Sequence, residues 1–115
     1  MLENKIVIAG GGHAGIEAAL AVSKMGGVCT VVTLNKSAVG RMSCNPAIGG
    51  LAKGHLVKEI DALGGIMGKI ADLSTIQNKI LNKSKGRAVW SPRSQVDKIQ
   101  YTKLVQNKIF NDQNV

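Results

Sequence analysis

Gly10, Gly12 and Gly15 stand between an apolar run and a stretch of small residues, GGGHAGIEAA at 10–19. The spacing is G-x-G-x-x-G, and each glycine has a separate task. The first permits a tight turn, the second lets the backbone approach a pyrophosphate, and the third lets helix and strand pack closely. Phosphates at such a turn meet free N–H groups and the positive end of the helix dipole. The pattern therefore predicts a cradle of Gly10, Gly11, Gly12, His13, Ala14 and Gly15 for an adenine dinucleotide, FAD first among them. A ribose-binding acid is expected about 20 residues further on. Thr33, Leu34 and Asn35 stand there instead, which speaks against a simple NAD site and leaves FAD open, with Asn35 or a backbone group toward the ribose. His13 lies inside the turn, where a neutral ring serves either the cofactor or its own turn. Glu17 suits the helix dipole and receives no catalytic role.

Two further segments carry reactive types. In RMSCNPAIGG at 41–50, Cys44 falls on a loop beside Arg41 and ahead of an expected helix, both of which favour a thiolate nucleophile. A small loop residue is the alternative. Cys29 falls within a buried apolar run and reads as core. In NKSKGRAVWSPRSQVD at 82–97, Lys83, Lys85, Arg87 and Arg93 suit phosphate and Trp90 suits stacking, with a solvated basic loop as the alternative. His13 and His55 are isolated and neither cysteine joins them, so no metal site is expected.

These residues need a frame. Lys5–Ala9 reads as a strand buried on both faces of a parallel sheet. A helix is expected from the glycine turn to about Met25, with Ala14, Ala18, Ala19 and Ala21 inward and Gly26-Gly27 as its stop. Val28–Leu34 reads as the second strand, and strand–helix–strand predicts a right-handed parallel crossover. Residues 35–50 read as irregular. A second helix over Leu51–Leu63 would turn Leu56, Ile60 and Leu63 inward. Ile76–Leu81 reads as a strand. Ser91-Pro92 resembles an N-cap and first helical position, opening a helix to about Phe110 with Tyr101, Leu104, Val105 and Ile109 inward. The expected class is α/β, the N-terminal part of a Rossmann-like domain.

The 115 residues allow one domain at most. At 44% hydrophobic and 19% charged, the composition is globular. Net charge is +8; residues 1–73 hold seven Lys/Arg against five acids, and residues 74–115 hold eight against two. The second half thus suits a polyanion or a solvated lysine-rich surface. Two cysteines give no disulfide framework, and no leader or membrane-spanning run is read, so a cytoplasmic setting without membrane association is expected.

GGGHAGIEAA at 10–19, MSCNPAIGGLAKGHLVKEIDALGG at 42–65 and ILNKSKG at 80–86 together resemble the MnmG (GidA) family, the FAD-dependent subunit of the tRNA uridine 5-carboxymethylaminomethyl modification enzyme. The resemblance runs from about Lys5 to Tyr101. It implies FAD on Gly10 to Gly15, reduction by NADH, a one-carbon unit from methylenetetrahydrofolate, and modification of C5 of the wobble uridine of tRNA. It also implies the GTPase partner MnmE and a homodimer, and places the cysteine matching Cys44 near the flavin. The family commonly has proline where Arg87 stands. Residues 1–115 are then expected to be a partial FAD-binding domain, inactive by itself, with the family's other domains absent. A folate-dependent tRNA uridine methyltransferase shares the glycine turn, but MSCNPAIGG argues against it. A small basic RNA-binding module is supported by the charge of residues 74–115 and opposed by the scarcity of aromatics.

Overall fold

The computed structural model describes residues 6–42, 47–50 and 52–115. They form two compact units, residues 1–41 with 102–115, and residues 42–101.

The first unit is built on a parallel βαβ crossover. Strand β1 (Ile6–Ala9) pairs with β2 (Cys29–Val32) in the register Ile6↔Cys29 to Ala9↔Val32. Helix α1 (His13–Lys24) joins them, and Gly26, at φ +82°, ends it where the sequence placed the stop. The buried stripe of α1 is Ile16, Ala19 and Leu20, spaced i, i+3, i+4. Ala14, Ala18 and Ala21, expected inside, are exposed, because the bulkier Ile16 and Leu20 set which face turns inward. The strands also depart from expectation. Ile6 and Val7 are exposed rather than buried on both faces, since a two-stranded sheet cannot cover them. Cys29, Val39, Val105 and Ile109 complete this core, the last two from helix α4 (Lys98–Phe110), which begins in the second unit and ends in the first.

The second unit holds an antiparallel sheet in the order β3 (Ala47–Gly49), β5 (Ser91–Val96), β4 (Thr75–Leu81). Helices α2 (Lys53–Ala62) and α3 (Met67–Leu73) pack with it. Its core is Met42, Ala47, Ile48, Met67, Ile70, Ala71, Val96 and Tyr101. Two buried hydroxyls are satisfied locally: Ser74 Oγ donates to the Ile70 carbonyl at 2.7 Å, and Ser91 Oγ donates to the Gly50 carbonyl.

Three expectations are corrected here. Ala47–Gly49, read as irregular, is a strand, three residues long and fixed by its pairing to β5. Ser91-Pro92 opens a strand, not a helix. The helix starts after Asp97, whose carboxylate accepts from the N–H groups of Ile99 at 2.9 Å and Gln100 at 3.0 Å. Pro92 has no N–H to give, but its carbonyl accepts from Gly50 N–H at 3.0 Å and the Gly50 carbonyl accepts from Ser91 Oγ instead. Helix α2 also presents a different face: Leu56 and Leu63 are exposed, and Gly54 is its buried residue. A Cβ on Gly54 would lie 3.1 Å from both the Pro92 carbonyl and Ser91 Oγ, so close approach to β5 decides the rotation of the helix.

Candidate functional site

The glycine turn follows the carboxyl end of β1. Gly10 takes φ +106°, a conformation closed to most L-residues, and its N–H donates to the Val32 carbonyl at 2.8 Å, which extends the parallel ladder by one rung. Gly15 holds the helix against the turn: a Cβ there would fall on the Gly10 carbonyl oxygen. Gly12 is the N-cap residue of α1, at φ −77°, ψ −175°, and its carbonyl accepts from Ile16 N–H at 3.0 Å. A Cβ on Gly12 would meet nothing within 4 Å. So Gly10 and Gly15 are needed by the fold, whereas Gly12 keeps open space above its backbone.

Electrostatically the turn suits an anion. The first N–H groups of a helix have no intrahelical partner. No side chain caps α1 and no acid sits in its first turn. His13 is the first helical residue and half-buried, Ala14 is exposed, and Glu17 lies one turn further on. The backbone at Gly12 is open, and a helix N-terminus without a side-chain cap favours negative charge there.

Two glycines outside the motif support the turn. Gly11 is buried; its carbonyl accepts from Gly40 N–H at 2.9 Å, and a Cβ there would press Val39 at 3.0 Å and Thr33 at 3.3 Å. Gly40, at φ +70°, leaves no room for a Cβ, which would collide with Val105. Sequence reasoning overlooked Gly40, and its single signal was a glycine directly after a β-branched residue. At the end of β2, Asn35 Oδ1 accepts from Ser37 N–H at 2.9 Å and Ser37 Oγ at 2.8 Å, so this oxygen is committed to a 3-10 turn over Lys36–Ala38.

Cys44 lies outside the described residues, and Arg41 is exposed. Cys29 is buried as expected, with Sγ 3.8 Å from the Ala19 carbonyl. Burial, and secondarily the charge of Asp112, pushes its thiol pKa up, which disfavours the thiolate form. Lys83, Lys85 and Arg87 are exposed on the β4–β5 connection, with Arg93 half-buried in β5. The Trp90 ring is engaged within that connection: its Nε1 donates to the Lys83 carbonyl at 3.1 Å, and the Arg87 guanidinium stands 5.8 Å from its centroid. Among the described residues there is no cluster of metal-ligating side chains and no helix long and apolar enough to cross a membrane.

The parallel βαβ unit and its glycine turn define an α/β protein with a parallel crossover. Residues 5–115 match the profile of the family described as glucose inhibited division protein A, and the chain belongs to that family. It is 54% identical over 113 residues to the tRNA uridine 5-carboxymethylaminomethyl modification enzyme MnmG of Aquifex aeolicus, covering 98% of this chain and 18% of that one. The MnmG of Borreliella afzelii is 59% identical over 95 residues, 83% of this chain and 15% of that one. The solved structure of Aquifex aeolicus GidA in its form II crystal superposes with a TM-score of 0.89 at 55% identity, over 96% of this chain and 18% of that one. The chain thus spans less than a fifth of the length of these relatives.

Proposed function

We propose that the chain is the cofactor-binding N-terminal portion of a flavoenzyme that modifies C5 of the wobble uridine in tRNA. The observation that carries this is the open backbone at Gly12, between two glycines that the fold itself requires. FAD, when bound, would supply the redox chemistry. Gly10, Gly11, Gly12, His13, Ala14 and Gly15 would hold its pyrophosphate by backbone N–H groups and the dipole of α1. Family membership and the names of the relatives, which specify tRNA uridine modification, support the substrate class.

The finer parts of the reading rest on the family resemblance. They are reduction by NADH, a one-carbon unit from methylenetetrahydrofolate, the GTPase partner MnmE, a homodimer and a cytoplasmic setting. Cys44 is the proposed nucleophile, supported by its place in MSCNPAIGG near Arg41. The domain reading is likewise a proposal: residues 1–115 form part of the FAD-binding domain and do not turn over alone.

The direct test is reconstitution of the purified chain with FAD, followed by desalting and an absorbance spectrum. A retained flavin spectrum supports the reading. Absence of flavin from both this chain and a full-length protein containing it would overturn the cofactor assignment.

A further inference from the structure

The connection between β4 and β5 is tightly organised for a polar loop. Asn82 sits in the left-handed region at φ +57°, and its side-chain amide donates to the Val89 carbonyl at 3.4 Å. Two 3-10 turns follow, Lys83–Lys85 and Arg87–Val89, divided by Gly86 at φ +92°. Lys85 N–H closes the first on the Asn82 carbonyl at 2.9 Å, and Trp90 N–H closes the second on the Arg87 carbonyl at 3.2 Å. The Trp90 indole then ties the end of the loop to its start through Lys83.

This frame holds out Lys83, Lys85 and Arg87, all exposed. On the strands beneath, Lys79 of β4 pairs directly with Arg93 of β5. From Lys79 to Val96 the chain carries five cations and no acid. Like charges directly opposite across a ladder are destabilising, and an anion between them relieves the repulsion. Recognition here would rest on charge: both the face and the N–H of Trp90 are engaged inside the loop, so it offers no free platform on which a base stacks.

We propose that this hairpin tip is an RNA-binding surface that contacts the phosphate backbone without reading base sequence. The inference rests on the tRNA-modifying function proposed above, which supplies an RNA as the polyanion.

The test titrates the chain with tRNA between 50 and 200 mM salt, read by filter binding and by the emission of Trp90, the single tryptophan of the sequence. Each phosphate contact contributes about 0.7–0.9 to the slope of log affinity against log salt. Replacing Lys83, Lys85 and Arg87 by alanine should lower the slope by about 2–3. Over that fourfold salt range the wild type should then lose about 20- to 40-fold more affinity than the variant. The control is K53A/K58A/K69A, which removes the same charge from α2 and α3 and should leave the slope near wild type. Trp90 emission should change on tRNA addition, because a phosphate held by Lys83 and Arg87 lies beside its ring.

Equal slopes in the two triple variants, or a wild type that binds no tRNA, would overturn the inference. Flavin retention would still decide the enzyme reading separately. Binding to vesicles of anionic phospholipid as tight as to tRNA, and lost in the same loop variant, would overturn the RNA assignment.

Discussion

Gly12 and Gly15 belong to one motif, and the structure assigns them different work that substitution can separate. At Gly12 a Cβ meets nothing within 4 Å and φ is −77°, so alanine fits the folded chain. Loss of the glycine N-cap costs about 0.5–1 kcal/mol, and reduced freedom of the unfolded chain returns about 0.4–1 kcal/mol. Gly12→Ala should therefore leave stability within about 1 kcal/mol of wild type. Gly15→Ala is the opposite case. Alanine gains about 1 kcal/mol as a helix former. Yet its Cβ would fall on the backbone carbonyl of Gly10, in a turn tied to Val32, with no flexible side chain to give way. The upper end of overpacking, about 3 kcal/mol, then leaves a net loss of about 2 kcal/mol. For a domain of this size that is about 8–16 °C in Tm.

Ligand binding should show the reverse order. If a pyrophosphate lies over Gly12, Gly12→Val puts side-chain atoms where phosphate oxygens must sit. Overpacking of about 1–3 kcal/mol at the ligand corresponds to about 5- to 150-fold weaker flavin binding. Urea denaturation followed by circular dichroism gives the stabilities, and flavin absorbance after desalting gives the retention. Wild-type retention by Gly12→Val at unchanged stability would refute the cradle. A neutral Gly15→Ala would refute the close-approach argument independently.

Asp112 accepts from Ser23 Oγ at 2.7 Å and from Asn114 N–H at 3.0 Å, and in that order these bonds hold its pKa below the usual carboxylate range. A depressed folded pKa stabilises above the unfolded value of about 3.9 and loses that contribution as pH falls through the folded one. Asp112→Asn should thus lower Tm at pH 7, and the difference from wild type should shrink in parallel melts as pH falls below about 4. In a Cys44→Ser background, Cys29 should resist a thiol reagent at pH 8 until the chain is denatured, because its neutral form is buried; rapid labelling of the native chain would contradict this. In a full-length enzyme carrying this segment, Cys44→Ser should keep FAD bound and sharply lower modified-nucleoside yield, whereas Cys29→Ser should lower stability alone. Modification at the wild-type rate by Cys44→Ser would remove the catalytic assignment.

The βαβ unit was legible because it is local: apolar runs of β-branched residues flank a glycine turn whose spacing has one common structural use. The hairpin β4–β5 was half legible. Ile76–Leu81 announces a strand, but SPRSQV has a single aliphatic residue, and Ser-Pro is as good an opening for a helix as for a strand. Only the pairing with β3 and β4 decides between them. Helix α2 was read from its leucines, while its packing is decided by Gly54, a residue whose contribution is the absence of a side chain. Periodicity finds bulk, and here the close approach of backbones sets the orientation.

The same reasoning separates the candidate site into parts by what each glycine excludes. Gly10 is fixed by conformation, Gly15 by helix contact, Gly11 by Val39 and Thr33, and Gly40 by Val105. Remove those four from the argument and the fold still offers no reason for a glycine at position 12. Its φ is ordinary, its Cβ would have space, and serine or aspartate would cap α1 better by satisfying an N–H group. A capping side chain, however, would occupy the donors that an anion needs, and an acid would repel it. The glycine at 12 therefore gives up helix stability and leaves α1 without a side-chain cap, which is the arrangement the proposed phosphate site requires.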